Sequence, residues 1–163
     1  MDDVDRKLLD LLQQNASLSM AELGAAVGLS ATPVWKRVQK LEAAGTVTRR
    51  VALVEPAHVG IGLIVYVAIE AIEHTPTWLA TFASTLDSMP EVMEAHRMAG
   101  EVDYMLRVAV PDMAGFDAFY KRLIAAVPLK NVTSRFAMEQ LKHTTAYPLA
   151  PHMFRDRRAP EDA

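Results

Sequence analysis

Residues 19–45, SMAELGAAVGLSATPVWKRVQKLEAAG, constrain the fold more than any other stretch. Ser19 and Glu22 have the spacing of a capping box, in which the serine oxygen accepts from the N3 amide and the glutamate reaches back to the cap. Leu23 and Val27, four apart, give the helix that follows one apolar stripe. Gly28 can take the positive φ of a sharp turn, and Leu29 can plug the elbow. Ser30 then caps a second helix, with Pro33 in its first turn, where a missing N–H costs little. Val34, Val38 and Leu41 point one way and leave Thr32, Lys36, Gln39 and Lys40 largely on the outer face. Two capped helices joined at a glycine elbow form a helix-turn-helix pattern, whose second helix suits a major groove.

The charge distribution points the same way. Between residues 30 and 50 stand Lys36, Arg37, Lys40, Arg49 and Arg50 against Glu42, a local charge of +4 in a chain of −3, leaving −7 on the rest. Charge alone would favour a solvated helix face, but charge on a capped helix pair favours one phosphate-seeking patch on an otherwise acidic body. The absence of cysteine excludes disulfides, thiolate metal sites and cysteine nucleophiles together. No apolar run approaches the roughly 18 residues of a membrane span, and MDDVDRKLL has no apolar signal core, so a cytoplasmic, nucleoid-associated protein is expected.

Upstream of the helix pair, Val4, Leu8, Leu11 and Leu12 predict a helix, with Asp2 and Asp3 at its favourable end. Downstream, residues 46–54 alternate around Val47, Val51 and Leu53, predicting a short hairpin whose Arg49 and Arg50 reach phosphate: a winged helix. Residues 55–62 hold a proline and two glycines and predict a linker; Gly60-Ile61-Gly62 lacks the third glycine and the helix of a nucleotide fingerprint. The second half then reads as strand 63–72, helix 77–88, strands 92–98 and 104–110, helix 113–127 and strand 132–144. The order β-α-β-β-α-β predicts a ferredoxin-like α+β domain over residues 63–145, with both helices on one face of an antiparallel sheet. Both alternating sets of the first strand are largely apolar, Val65, Val67 and Ile69 against Ile64, Tyr66 and Ala68, so the face without helices needs a cover and a dimer is expected. Residues 146–163, rich in proline and charge, read as a loose tail.

The segments DRKLLDLLQ, LSATPVWKRVQKLEAAGTV, RMAGEVDYMLRV and FAMEQLKHTT, in this order, resemble the Lrp/AsnC (feast/famine) family of transcription regulators, over about residues 3–145. With FYKRL and AVP between the last two, they look closest to its cysteine-responsive, DecR-like branch. The resemblance implies a winged helix-turn-helix for double-stranded DNA and a ferredoxin-like sensing domain of the RAM type. It implies homodimers through paired sheets, assembling to tetramers or octamers with DNA wrapped outside, and an amino-acid effector at the loop between the second and third strands of the sensing domain. That loop is Met98, Ala99, Gly100, Glu101, Val102, Asp103 and Tyr104 here. Gly100 lets backbone approach a ligand, Asp103 is charged to take an α-ammonium, and Ser134 is a further polar candidate. Ser30, Thr32 and Pro33 match the family's recognition-helix pattern.

The candidate DNA contacts are therefore Ser30, Thr32, Pro33, Lys36, Arg37, Gln39, Lys40, Arg49 and Arg50, with Thr32, Lys36 and Gln39 the candidates for base edges. Trp35 is either packed beneath the wing or faces phosphate, packing being the habit of large aromatics. Asp103 has a structural alternative, pairing with Arg97 or Arg107, and Glu101 has one as a solvated loop carboxylate. The five histidines show no ligand spacing, so no metal or cofactor is expected. An enzyme using Glu101 and Asp103 as acid and base lacks any accompanying nucleophile, and the basic helix would have no purpose in it. An architectural DNA-wrapping protein without effector response is the other alternative. Cysteine is the first effector candidate, leucine or another small apolar amino acid the second.

Overall fold

Three helices build the N-terminal part because each starts at a residue that favours starting one. In the computed structural model, which describes residues 1–149, α1 spans Asp3–Gln14, α2 Met20–Val27 and α3 Ala31–Ala43. Asp2 caps α1 in a reciprocal box with Asp5, and Ser19 caps α2 with Glu22, as its spacing predicts. Ser30 stands at the N-cap of α3 but makes no side-chain capping bond, so its hydroxyl is left free of the helix. Gly28 ends α2 at φ 72°, the left-handed turn expected of it. Leu8, Leu23, Val34 and Val38 are fully buried where the helices meet, each burial being worth about 1.5–3 kcal/mol.

The wing does not form within the chain. Thr46 and Val47 donate their backbone N–H groups to Leu41 O at 2.9 and 3.2 Å, and residues 48–55 then run without any strand assignment. The physical reason lies in TVTRRVALV, which contains no turn residue at which the chain could fold back to pair with itself. Val51, Leu53 and Val54 are exposed.

Residue contacts divide the described residues into two units, residues 1–53 with 142–149, and Val54–Leu141. In the second, β1 (Leu63–Ala71), α4 (Pro76–Asp87), β2 (Val92–Arg97), β3 (Tyr104–Val110), α5 (Met113–Ala126) and β4 (Leu129–Phe136) form one antiparallel sheet of order β2-β3-β1-β4. This is the ferredoxin-like arrangement. Val65, Val67 and Ile69 face the helices, packed with Trp78, Phe82, Phe116, Phe119 and Leu123, while Ile64, Tyr66 and Ala68 stay outside that core. Phe119 is fully buried at the centre of α5's inner face, while its neighbour Tyr120 is only partly buried.

The last strand ends at Phe136 rather than at residue 144, because its partner runs out. Phe136 pairs with Val65, Ala137 donates to Ile64 O at 2.9 Å, and β1 begins at Leu63. Residues 142–149 group with the N-terminal unit. There Tyr147 N–H donates to Gln13 Oε1 at 2.7 Å and Gln13 Nε2 donates to Tyr147 O at 3.1 Å, so the expected loose tail is tied down at its start. Its remainder, residues 150–163, lies outside the described residues.

Candidate nucleic-acid interface and effector loop

The buried stripe of α3, Val34, Val38 and Leu41, turns Thr32, Trp35, Lys36, Gln39 and Lys40 outward, all of them exposed. Trp35 is 52% exposed, which removes packing as its role within the protomer. Spacing alone held that answer, since Trp35 lies a full 100° step from Val34 on a stripe set by Val34, Val38 and Leu41. Among the described residues, the side chains of Ser30, Thr32, Lys36, Lys40 and Arg49 make no hydrogen bond or ion pair. They are the donors free to meet a ligand.

The other candidates are engaged within the fold. Gln39 Nε2 donates to Glu42 Oε2 at 2.9 Å, and Arg50 Nη2 stands 2.8 Å from Glu42 Oε1. One carboxylate therefore holds both. Pro33, partly buried, lies inside the first turn of α3. Arg37 Nη1 is 2.7 Å from Asp2 Oδ2 and 2.7 Å from Asp5 Oδ1. The carboxylates of Asp5 and then Asp2 hold its guanidinium above its ordinary pKa. The backbone N–H of Asp5, and then Arg37 itself, hold the Asp2 carboxyl below its ordinary value. These acidic partners, 35 and 32 positions away, carry no sequence signal toward Arg37.

In the second unit the loop between β2 and β3 gathers Met98, Ala99, Gly100, Glu101 and Asp103 at one end of the sheet. Met98 N–H donates to Asp103 O at 2.8 Å, closing the turn, and Gly100 sits at φ 135°, where a side chain is strained. Met98, Ala99, Gly100 and Glu101 are exposed. Asp103 is held by the fold at three points. Its N–H donates to Ile69 O at 2.9 Å, its carbonyl takes Met98, and its carboxylate Oδ2 accepts from Ala71 N–H at 2.8 Å, beside the bulge between Glu70 and Ala71. The other carboxylate oxygen, Oδ1, faces His74 Nε2 at 3.6 Å.

The structural partner of Asp103 is thus the end of β1, rather than Arg97 or Arg107; Arg107 pairs with Glu94 at 2.8 Å. Lys130 is held above its ordinary pKa, first by Glu70 at 2.9 Å and also by the charge of Asp103. A carboxylate, an imidazole and an ammonium therefore border this end of the sheet, the latter two unforeseen from sequence. Tyr104 is not open to the loop: it is buried, its ring 4.8 Å from Phe82 and 5.7 Å from Trp78. Ser134 pairs with Val67, in a row two positions from the Ile69–Tyr104 row, and β1 stands between its strand and β3. The fold does not bring it to the loop.

Known proteins share this architecture. The Lrp/AsnC ligand binding domain matches residues 64–147, and the AsnC-type helix-turn-helix domain matches residues 1–42. The DNA-binding transcriptional activator DecR of Escherichia coli K12 is 49% identical over 150 residues, covering 91% of this chain and 99% of that protein. An AsnC family transcriptional regulator from Agrobacterium tumefaciens superposes with a TM-score of 0.89 at 50% identity, over 91% of this chain and 97% of that one. A transcriptional regulator from Neisseria meningitidis, crystallised as a complex with L-Met, superposes with a TM-score of 0.88 at 33% identity, over 94% of this chain and 99% of that one. Two domains matched in their family order and a relative matched along nearly its whole length put this chain in the Lrp/AsnC family of transcriptional regulators.

Proposed function

We infer that this chain is a sequence-specific DNA-binding regulator whose oligomer responds to a small amino acid. The observation that carries the reading is the outer face of α3, where Thr32, Lys36 and Lys40 stand free while nearby Glu42, Asp2 and Asp5 are all engaged. Residues 1–54 are the DNA-binding part, with Lys40, Arg49 and Ser30 on phosphate and Thr32 and Lys36 on base edges. Residues 63–145 sense the effector and join subunits, the sheet face of Ile64, Tyr66 and Ala68 pairing with its copy. The effector meets the loop at Gly100 and Asp103, whose Oδ1 accepts the α-ammonium. Cysteine is the first candidate, and the L-Met held by the Neisseria relative favours the same amino-acid class. The regulator is preferred to an enzyme because the relatives are transcriptional regulators and the Asp103 carboxylate is engaged by Ala71 N–H. It acts in the cytoplasm, on the nucleoid.

The test is a footprint of the protein on its own upstream DNA, with and without each of the twenty amino acids. A protected pseudo-palindromic site whose pattern changes with one amino acid is expected, because a dyad of reading helices meets matching half-sites. Protection no stronger than on random DNA overturns the regulator, and protection indifferent to every amino acid leaves a DNA-wrapping protein in its place.

A further inference from the structure

We propose that Arg37, although it stands among the cations of the reading helix, is a latch that fixes the rotation of α3 against α1 and touches no phosphate. Its geometry is closed. Asp5 N–H donates to Asp2 Oδ1 at 2.9 Å and Asp2 N–H donates to Asp5 Oδ2 at 3.1 Å, so each aspartate uses one oxygen to cap α1. The two oxygens left, Asp2 Oδ2 and Asp5 Oδ1, both meet Arg37 Nη1 at 2.7 Å. All four carboxylate oxygens are satisfied by the cap and this one guanidinium. Arg6, the neighbouring cation on α1, is taken by Asp3 at 2.7 Å and does not compete. Lys36 and Lys40, on either side of Arg37 along α3, have no such partners among the described residues.

The inference rests on α3 being the helix that reads DNA. Its apolar seam of Val34 and Val38 against Leu8 and Leu23 holds the helix down but, being non-directional, leaves its rotation weakly specified. A hydrogen-bonded ion pair from the middle of α3 to the cap of α1 specifies it, and the planar fork of arginine does this where a lysine ammonium would not. Base readout depends on that rotation because bidentate contacts tolerate little displacement, whereas non-specific attraction to phosphate does not.

The experiment uses the full chain and a duplex selected by the wild-type protein from a random-sequence pool. Its binding, and that of random DNA, are titrated across salt for wild type, Arg37→Ala, Arg37→Lys and the double variant Asp2→Asn/Asp5→Asn, which keeps the capping acceptors. A loss of about tenfold or more in preference for the selected duplex is expected in all three, with no fall in affinity for random DNA and the salt slope unchanged. The aspartate variant is the sharpest arm: removing two negative charges would strengthen a purely electrostatic complex, yet preference should fall. Combining it with Arg37→Ala should add nothing further. A slope lowered by about 0.9 for each arginine removed, with both duplexes weakened together, makes Arg37 a phosphate contact and overturns the latch. Unchanged preference with a lowered melting temperature makes it merely structural and also overturns it. If the wild type selects no sequence, the DNA reading itself fails; thermal melts of the same variants then decide the latch, additive losses refuting it.

Discussion

Of the two tryptophans, Trp78 is 4% exposed, stacked on Phe82 and bonded through Nε1 to Pro128 O at 3.0 Å, while Trp35 is 52% exposed on the reading helix. Emission from Trp35 should be red-shifted and accessible to iodide. DNA should shield it, and Trp35→Phe should abolish the DNA-dependent change while leaving the blue-shifted emission of Trp78 in place. A DNA-induced change that survives Trp35→Phe refutes the outward placement. Asp103 needs a finer substitution than alanine. Asp103→Ala leaves Ala71 N–H without its acceptor, at a cost of about 1–3 kcal/mol in a chemical melt. Asp103→Asn keeps an acceptor there and removes only the charge facing His74 and Lys130, so it should melt near the wild type and lose the thermal shift given by the effector. Asp103 itself was legible as a charged loop residue. His74 was not, because a bulge at the end of β1 sets how the chain turns toward it.

The elements were legible wherever a local rule decides them. The Ser19–Glu22 capping box announced α2, apolar spacing behind Asp2 and Asp3 announced α1, and the β-α-β-β-α-β order announced the sheet. What escaped depended on neighbours distant in sequence: β4 stops where β1 gives out, and the run at 46–54 has no second strand to pair with. Gly24 escaped too, since nothing in MAELGAAV marks it. A Cβ there would lie 2.4 Å from the backbone oxygen of Leu29, so the helix-turn-helix elbow closes only because residue 24 is glycine. Gly24→Ala should cost about 1–3 kcal/mol in a denaturant melt despite its better helix propensity; a stabilised variant would show the elbow to be looser than this. The caps also set an acid limit. Backbone and Arg37 bonds hold the Asp2 carboxyl low, and the Ser19 hydroxyl and N–H hold Glu22 low. Groups with depressed folded-state pKa values stabilise fully above their unfolded values and lose that contribution as pH falls through the folded ones. Helicity of α1 and α2 should hold at neutral pH and decline below about pH 4. Circular dichroism that is flat down to pH 2 would refute the caps' contribution.

At the scale of the whole molecule, the sheet has one face filled by α4 and α5 and one that shows Tyr66, 41% exposed, with Ile64 and Ala68 along its strand and Arg107 and Arg135 paired across from it. The expectation of a dimer came from the double apolar alternation of LIVYVAIEA, and the side chains keep that alternation. Light scattering should find no 18.0 kDa monomer at micromolar concentration, and Tyr66→Asp should produce one while leaving the helix-packed core intact. A Tyr66→Asp protein of unchanged mass refutes this face as the seam.

The return of residues 142–149 to the N-terminal unit bears on how such regulators can be taken apart and recombined. The unit that carries α3 is discontinuous in sequence, completed by a segment encoded after the whole sensing unit. A fragment ending at residue 53 leaves Gln13 without Tyr147, and a hybrid spliced only at the linker inherits a foreign closing segment on α1. Exchanging sensors between members of such a family therefore takes two joints, one before residue 54 and one after residue 141.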